Sequence, residues 1–344
     1  MDASRRGFVT ALSAAVAGCS RRATSRYGAK AIDARLLDRK FPALADRARP
    51  GEFNAAILNL RTTQSWYWNL DKRFPMESVF KAPMAAAALA EVDAGRLKLS
   101  EAITLKPQDL SPPYSAISQA WPTPPEGHTE TFTALKLISL AVRLSDNTAA
   151  DVIMARIGGP GAVTAWLHAK EIADMRVDRY ERELQQEVSG MAAFRPAWKN
   201  PKDWFAARDT IPAAARQSAM DAFLADPRDT TSAAAALDFL AKLADGSLIS
   251  PASTRLLLGL MSDSPTGANR LSAGLPSGAR WAHKTGSSGT DLGFTPATND
   301  IGIVTLGDGR RFALAAFLAG ATATLIDRDR LFADTARLMV EAIG

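Results

Sequence analysis

Ser78 and Lys81 stand three residues apart in Ser78-Val79-Phe80-Lys81, at the head of an alanine-rich run. Residues at i and i+3 share a face of a helix. A serine hydroxyl is a weak nucleophile until a base lies within hydrogen-bond reach. A lysine amine kept from water can be that base, because burial lowers its pKa. Amides at a helix start also favour negative charge beside Ser78. An isolated Ser-x-x-Lys is common by chance, and its ordinary meaning is a surface serine beside a solvated lysine. Further along comes Ser145-Asp146-Asn147, read as the end of a helix. The Ser145 hydroxyl could hand a proton to a leaving nitrogen, and the Asn147 amide could meet a substrate carbonyl and Lys81 together. The same three residues also suit a plain C-cap and turn. Lys284-Thr285-Gly286 reads as part of a strand. Lys284 and Thr285 can meet a carboxylate, and Gly286 lets a substrate backbone approach an edge strand. Ser287 could offer its backbone N–H to an oxyanion together with that of Ser78. A polar strand end at a turn would look the same.

Positioning these groups needs a scaffold, and the hydrophobic periodicity supplies one. Residues 31–48 read as a helix, and 53–60 and 65–69 as short strands joined by a polar turn. Residues 78–94 form a helical pattern stopped by Gly95, and a proline-rich loop follows over 111–125. Helical spacing recurs over 133–144, where Leu135, Ile138 and Val142 align, and again over 151–157, 160–170 and 231–244. Three strands close the chain near 280–283, 301–306 and 311–318. Gly307-Asp308-Gly309 turns between the last two, and a final helix runs over 327–343. Strands at both ends with helices between predict one sheet assembled from the two termini and an all-helical lobe, with a cleft between them.

Composition narrows the classes. The chain has 344 residues, 47% of them hydrophobic and 22% charged. That balance excludes disorder, collagen and coiled coil as descriptions of the whole. One cysteine excludes a disulfide framework, and one Cys with three scattered His leaves no zinc pattern. The net charge of +5 is mild and spread out, so nucleic acid is not an expected partner. The first residues are of another kind. Arg5-Arg6-Gly7-Phe8 leads into an apolar run over 8–18, too short to span a bilayer. A charged start, short apolar core and small residues at its end read as an export signal, and the paired arginines resemble a twin-arginine leader. Val16-Ala17-Gly18-Cys19 resembles a bacterial lipobox, and Cys19 is the sole cysteine. The expected organisation is a signal over 1–18, a lipidated Cys19, a tether over 19–30 and one catalytic domain over 31–344.

The serine–lysine, Ser-Asp-Asn and Lys-Thr-Gly motifs are specific together and in this order. On them, the chain resembles a class A serine β-lactamase from residue 31 to 344. Asp226-Pro227-Arg228-Asp229-Thr230-Thr231, Thr266-Gly267-Ala268-Asn269-Arg270 and Ala273-Gly274-Leu275-Pro276 look like further family segments. The resemblance implies an α/β fold with a five-stranded antiparallel sheet built from both termini, plus an all-helical lobe. It implies Ser78 as nucleophile, Lys81, Ser145 and Asn147 around it, and Lys284, Thr285, Gly286 and Ser287 lining the substrate. It also implies a deacylating glutamate in an Ω-shaped loop of pattern Arg-aromatic-Glu-x-Glu-Leu-Asn. Arg179-Tyr180-Glu181-Arg182-Glu183-Leu184-Gln185 matches at five positions and places that base at Glu181, with Glu183 the alternative register.

Two departures stand out. Gln185 replaces the asparagine that helps hold the hydrolytic water. Forty-four residues separate Glu181 from Asp226, which makes the loop much longer than is usual in the family. The excess, 186–225, carries Phe194, Trp198, Trp204 and Phe205 and a helical pattern over 212–224, so it reads as a folded sub-lobe, either lid or passive surface. Arg179 and Asp229 are the expected ion pair of this loop. Arg270, with Lys284 and Thr285, is the expected anchor for a substrate carboxylate, in preference to Arg310 and Arg311 at the strand turn. The implied protein is an exported, monomeric β-lactamase that takes a small β-lactam, needs no cofactor or metal, and meets a membrane only through its lipid anchor. The alternatives are a penicillin-binding D-alanyl-D-alanine carboxypeptidase or transpeptidase, which lacks the working base, and a catalytically dead scaffold of the same fold.

Overall fold

The computed structural model describes residues 31–344 apart from 71, 122–126, 194, 196–197 and 199. The expected leader, Cys19, the tether over 19–30 and Phe194 lie outside the described residues. Helix α1 (Ala34–Asp46) is followed by the strands β1 (Glu52–Asn59), β2 (Ser65–Trp68) and β3 (Arg73–Pro75). A 3-10 turn over Glu77–Phe80 runs directly into α2 (Lys81–Asp93). Then come β4 (Ala102–Leu105), α3 (Ala116–Ala120), β5 (Glu130–Thr133), α4 (Ala134–Arg143), α5 (Asn147–Arg156) and α6 (Pro160–Ala169). The loop region holds α7 (Glu181–Val188), α8 (Pro201–Asp209) and α9 (Ala213–Ala225). The chain finishes with β6 (Thr230–Ser232), α10 (Ala233–Asp245), α11 (Pro251–Ser262), β7 (Arg280–Ser287), β8 (Thr295–Thr305), β9 (Arg311–Ala321) and α12 (Leu325–Ile343).

The sheet has the order β2-β1-β9-β8-β7, antiparallel throughout. It is therefore assembled from both ends of the chain, and β7 is an edge. Its central strands are apolar on both faces, as a sheet covered on both sides requires. Along β9 the alternation divides two cores: Ala313, Ala315 and Phe317 face the helical lobe, whereas Phe312, Leu314, Ala316 and Leu318 face α1 and α12. On the second face Phe41, Phe53 and Trp66 pack ring against ring, with Phe332 on Phe53. The lobe is organised around α2. Every residue from Lys81 to Leu89 is buried, so this helix is apolar all round instead of amphipathic. Its alanines let α4, α6 and α11 approach closely.

Several sequence boundaries are corrected. The helix expected from residue 78 begins as a 3-10 turn. The helix expected over 151–157 starts at Asn147, and the strand expected at 301 starts at Thr295. The weak patterns of α7, α8 and α11 carried no expectation: they are short or interrupted by polar residues, and tertiary packing decides them. Among the described residues no helix is long and apolar enough to cross a membrane.

Candidate active site

The 3-10 turn over Glu77–Phe80 and the first residue of α2 place Ser78 and Lys81 side by side. In a 3-10 turn, residues at i and i+3 eclipse, so the spacing works although the segment is not α-helical. Lys81 Nζ donates to Ser78 Oγ at 2.9 Å. It also donates to Asn147 Oδ1 at 2.6 Å and Ser145 O at 2.7 Å, and lies 2.8 Å from Glu181 Oε1. Lys81 is fully buried, and these oxygens take the place of water around the amine.

Ser145-Asp146-Asn147 is not the end of a helix. It is the joint between α4 and α5. Ser145 takes a left-handed φ of 58°, and Asp146 caps α5 by accepting from Ala149 N at 2.9 Å. Asp146 also accepts from Ile117 N and Ser115 Oγ, both at 3.0 Å. The Asp therefore works structurally, turning the serine and the asparagine on either side of it toward Lys81. Asn147 Nδ2 donates to Pro113 O at 2.9 Å, which fixes the amide with its oxygen on the lysine.

Lys284 reaches the same centre from β7. Its Nζ donates to Ser145 Oγ at 3.0 Å and to Thr285 O at 2.9 Å. Ser145 thus bridges the two lysine amines. Burial, followed by the charge of Lys81, holds the Lys284 amine well below the usual lysine range. The ladder explains where Ser287 points. Ser288 N donates to Ala297 O at 3.0 Å. Hydrogen-bonded and free pairs alternate in an antiparallel ladder, so the N–H of Ser287 turns to the open edge. Gly286 has a reason within the protein that its sequence does not suggest. A Cβ there would sit 2.4 Å from Met76 O and 3.1 Å from Val79 N. The glycine lets β7 lie against the 3-10 turn that carries Ser78.

Arg270 is buried behind that strand. Its guanidinium donates to Asn299 O at 2.9 Å, Gly286 O at 3.2 Å and Ser287 Oγ at 2.6 Å, and faces Asp329 at 3.3 Å. It braces the end of β7, and Thr285 is held by Thr266 through a 2.8 Å hydroxyl pair. Arg310 donates to the last backbone carbonyls of α12 and to Asp308, at the turn expected.

The loop brings Glu181, and not Glu183, to Ser78. Ser78 Oγ lies 3.3 Å from Glu181 Oε1, and Gln185 Nε2 donates to Glu181 Oε2 at 3.0 Å. Gln185 is one helical turn on, so α7 puts its amide on the far carboxylate oxygen. Glu183 is exposed, and its carboxylate accepts from Tyr180 N at 3.0 Å as a helix cap. Sequence reasoning missed the residue that aims α7. Asp151, fully buried on α5, accepts from Glu181 N at 2.7 Å and Arg182 N at 3.1 Å, a carboxylate on the first amides of a helix. Burial pushes its carboxyl up. The signal available was an acid inside an otherwise apolar helical stretch. Glu77 was also missed; it adjoins Ser78 and is 2% exposed.

The neck of the loop is ionic. Arg179 Nε meets Asp229 Oδ2 at 2.6 Å, and its Nη1 meets Glu187 at 2.5 Å and Asp226 at 3.3 Å. Asp229 Oδ1 accepts from Asp178 N at 2.7 Å, while Asp229 N donates to Asp178 Oδ2 at 2.8 Å. Beyond the neck, Leu184, Val188, Met220 and Phe223 form a small separate core with Leu224 and Phe294 against it. Arg216 pairs with Asp291 at 2.7 Å, and the Phe205 ring stands edge-on to Tyr114 at 6.2 Å. A cavity of about 30 Å³ remains between Tyr114, Gln185, Trp204, Arg208 and Ser288. The long segment is folded against the flank of the site.

A sheet of this order, with a half-buried serine beside a buried lysine and an apposed carboxylate, has the makings of a serine hydrolase site on a mixed α/β fold. Residues 36–343 match the family model described as the β-lactamase enzyme family. The chain belongs to that family, in its class A serine branch. It is 29% identical to β-lactamase VEB-1 of Pseudomonas aeruginosa over 85% of each chain. It is 28% identical to extended-spectrum β-lactamase PER-1 of the same organism, over 77% of this chain and 74% of the relative. Among solved structures, a β-lactamase from Chitinophaga pinensis superposes with a TM-score of 0.72 at 28% identity, covering 90% of this chain and 99% of that one. The ancestral Gram-negative class A β-lactamase superposes at 0.70 and 31% identity, covering 89% and 99%.

Proposed function

We propose that this protein hydrolyses the lactam amide of penicillins and cephalosporins through an acyl-Ser78 intermediate. Ser78 Oγ attacks the lactam carbonyl as its proton passes to Lys81 or, by way of water, to Glu181. The N–H groups of Ser78 and Ser287 receive the oxyanion. The C–N bond breaks, and Ser145 gives a proton to the leaving nitrogen, resupplied from the lysines on either side. A water then attacks the ester, Glu181 takes its proton, and the acid product leaves with Ser78 restored. Lys284 and Thr285 meet the substrate carboxylate, and Arg270 adds its field from behind β7. Every group in this scheme comes from one chain, so a monomer suffices.

The observation that carries the reading is the carboxylate on the nucleophile: Glu181 touches both Ser78 Oγ and Lys81 Nζ, with Gln185 fixing its second oxygen. A penicillin-binding enzyme can acylate without such a group. Rapid hydrolysis of the ester needs it. Nitrocefin and benzylpenicillin added to the purified protein, with intact-protein mass spectrometry, test the reading. Turnover supports it; a stable acyl adduct transfers the protein to the carboxypeptidase or transpeptidase reading; no reaction leaves the scaffold. The leader over 1–18 supports export with a lipid on Cys19. Cys19→Ser should release a membrane-fraction protein as a soluble exported one or block cleavage, and mature protein that is soluble either way rejects the lipid.

A further inference from the structure

Glu77 is a buried carboxyl that the scheme above does not use. It precedes Ser78 directly and holds a left-handed φ of 47°, a conformation that a side chain of its size seldom adopts. Its Oε1 accepts from Ser288 Oγ at 2.7 Å. The two residues joined by that bond are the chain neighbours of Ser78 and Ser287, the proposed oxyanion donors. A second tie runs parallel: Asn299 Nδ2 on β8 donates to Pro75 O at 2.8 Å and Met76 O at 3.0 Å. The asparagine secures the start of the turn, and the carboxyl secures the residue beside the nucleophile.

We infer that Glu77 is a positioning residue for the oxyanion site, clamping the Ser78 turn to the Ser287 end of β7. This rests on the hydrolytic reading above. Its surroundings oppose ionisation. Burial is the largest effect, and the carboxylates of Glu181 on α7 and Asp229 before β6 add to it. The Ser288 hydroxyl and the Lys81 ammonium on α2 act the other way, and Glu77 is pushed up to about 7. The Tyr114 phenol also faces it, itself pushed up by burial and then by Glu77, with the Arg208 cation acting the other way. Ionised, Glu77 sets a negative charge beside the two N–H groups that must receive an oxyanion, so the transition state loses more than the bound substrate does.

The test is kcat for nitrocefin from pH 5.5 to 8.5 in wild type, Glu77→Gln and Ser288→Ala, with thermal unfolding over the same range. Wild-type kcat should fall roughly tenfold or more above pH 7 at little change in KM. In Glu77→Gln the ratio of kcat at pH 6 to that at pH 8.5 should drop below about twofold, since an amide keeps the bond from Ser288 and cannot ionise. In Ser288→Ala kcat should fall at every pH, and the descending limb should move to higher pH, because the lost hydroxyl was favouring the charged form. The unfolding measurement does not depend on turnover. A folded pKa above the ordinary 4.5 stabilises fully below that value, and the contribution is lost as pH rises through about 7. Wild-type Tm should therefore decline against that of Glu77→Gln over this window. A limb that is the same in Glu77→Gln belongs to another group, such as the displaced amine of Lys284, and overturns the inference. So does a constant Tm difference. Absence of turnover in wild type at any pH would instead sink the hydrolytic reading.

Discussion

The Ser78–Lys81 cluster and the loop that carries Glu181 meet within one hydrogen bond, yet they are built differently. Ser78, Lys81, Asn147 and Lys284 come from α2, α5, β7 and the turn before α2, all rooted in the main core. Glu181 sits on an eight-residue helix held by the Asp151 cap, the Arg179 ion pairs and a satellite core of four buried side chains. The first region depends on packing, which salt hardly touches. The second depends on charge at its neck, where removing one partner strands the other. On the proposed mechanism, attack on the substrate and hydrolysis of the ester fall to parts of different rigidity, and they should be separable by mutation.

The largest effect should come from Ser78→Ala, which removes both the acyl adduct and turnover; an adduct at another serine would move the nucleophile. Next is Glu181→Ala. Loss of a general base costs about 10²–10⁴-fold, and here the cost should fall on the second half-reaction, so the variant should accumulate acyl-Ser78 visible by mass. Glu183→Ala should keep turnover and lose about 1 kcal/mol of stability as a helix cap, which unfolding by denaturant would register. Reversed phenotypes would mean that the carboxylates exchange places in solution.

Arg179→Ala strikes the neck. It leaves Asp229, which is 2% exposed, without its counter-ion. The cost should approach 3–5 kcal/mol, and because it is local, deacylation should slow while single-turnover acylation keeps its rate. Equal loss of both rates would show that the two regions are one mechanical unit. The smallest effect belongs to Phe205→Ala. An edge-to-face ring pair contributes about 0.5–1.5 kcal/mol, so its loss should alter KM for substrates with bulky side chains by a few-fold at constant kcat. No dependence on side-chain size would make the α8 face a passive surface.

Legibility in the sequence follows the same division. The sheet from both termini, the serine–lysine pair and the Lys-Thr-Gly strand depend on spacings of a few residues inside regular elements, and such spacings survive as patterns. Ser145-Asp146-Asn147 was legible as a motif but misplaced as a helix end, because a cap residue serves the end of one helix and the start of another equally well in sequence. Asp151 and Glu77 left almost no trace. Each acts on a partner far along the chain, Glu181 in one case and Ser288 in the other. Gly286 was legible as a close approach, but its approach to the Ser78 turn was not, since the absence of a side chain says that something is near and not what it is.

The reciprocal hydrogen bonds between Asp178 and Asp229 have an evolutionary consequence. They fasten the two ends of the long segment to each other, so the rest of the enzyme meets a closed gate of fixed width whatever hangs beyond it. Closing a flexible loop costs only about 0.6 kcal/mol more for each doubling of its length. Lineages could therefore lengthen, shorten or exchange what lies between these two aspartates without refitting the catalytic side of the gate. An experimenter could transplant residues 186–225 onto a relative that keeps the Arg179–Asp229 pair.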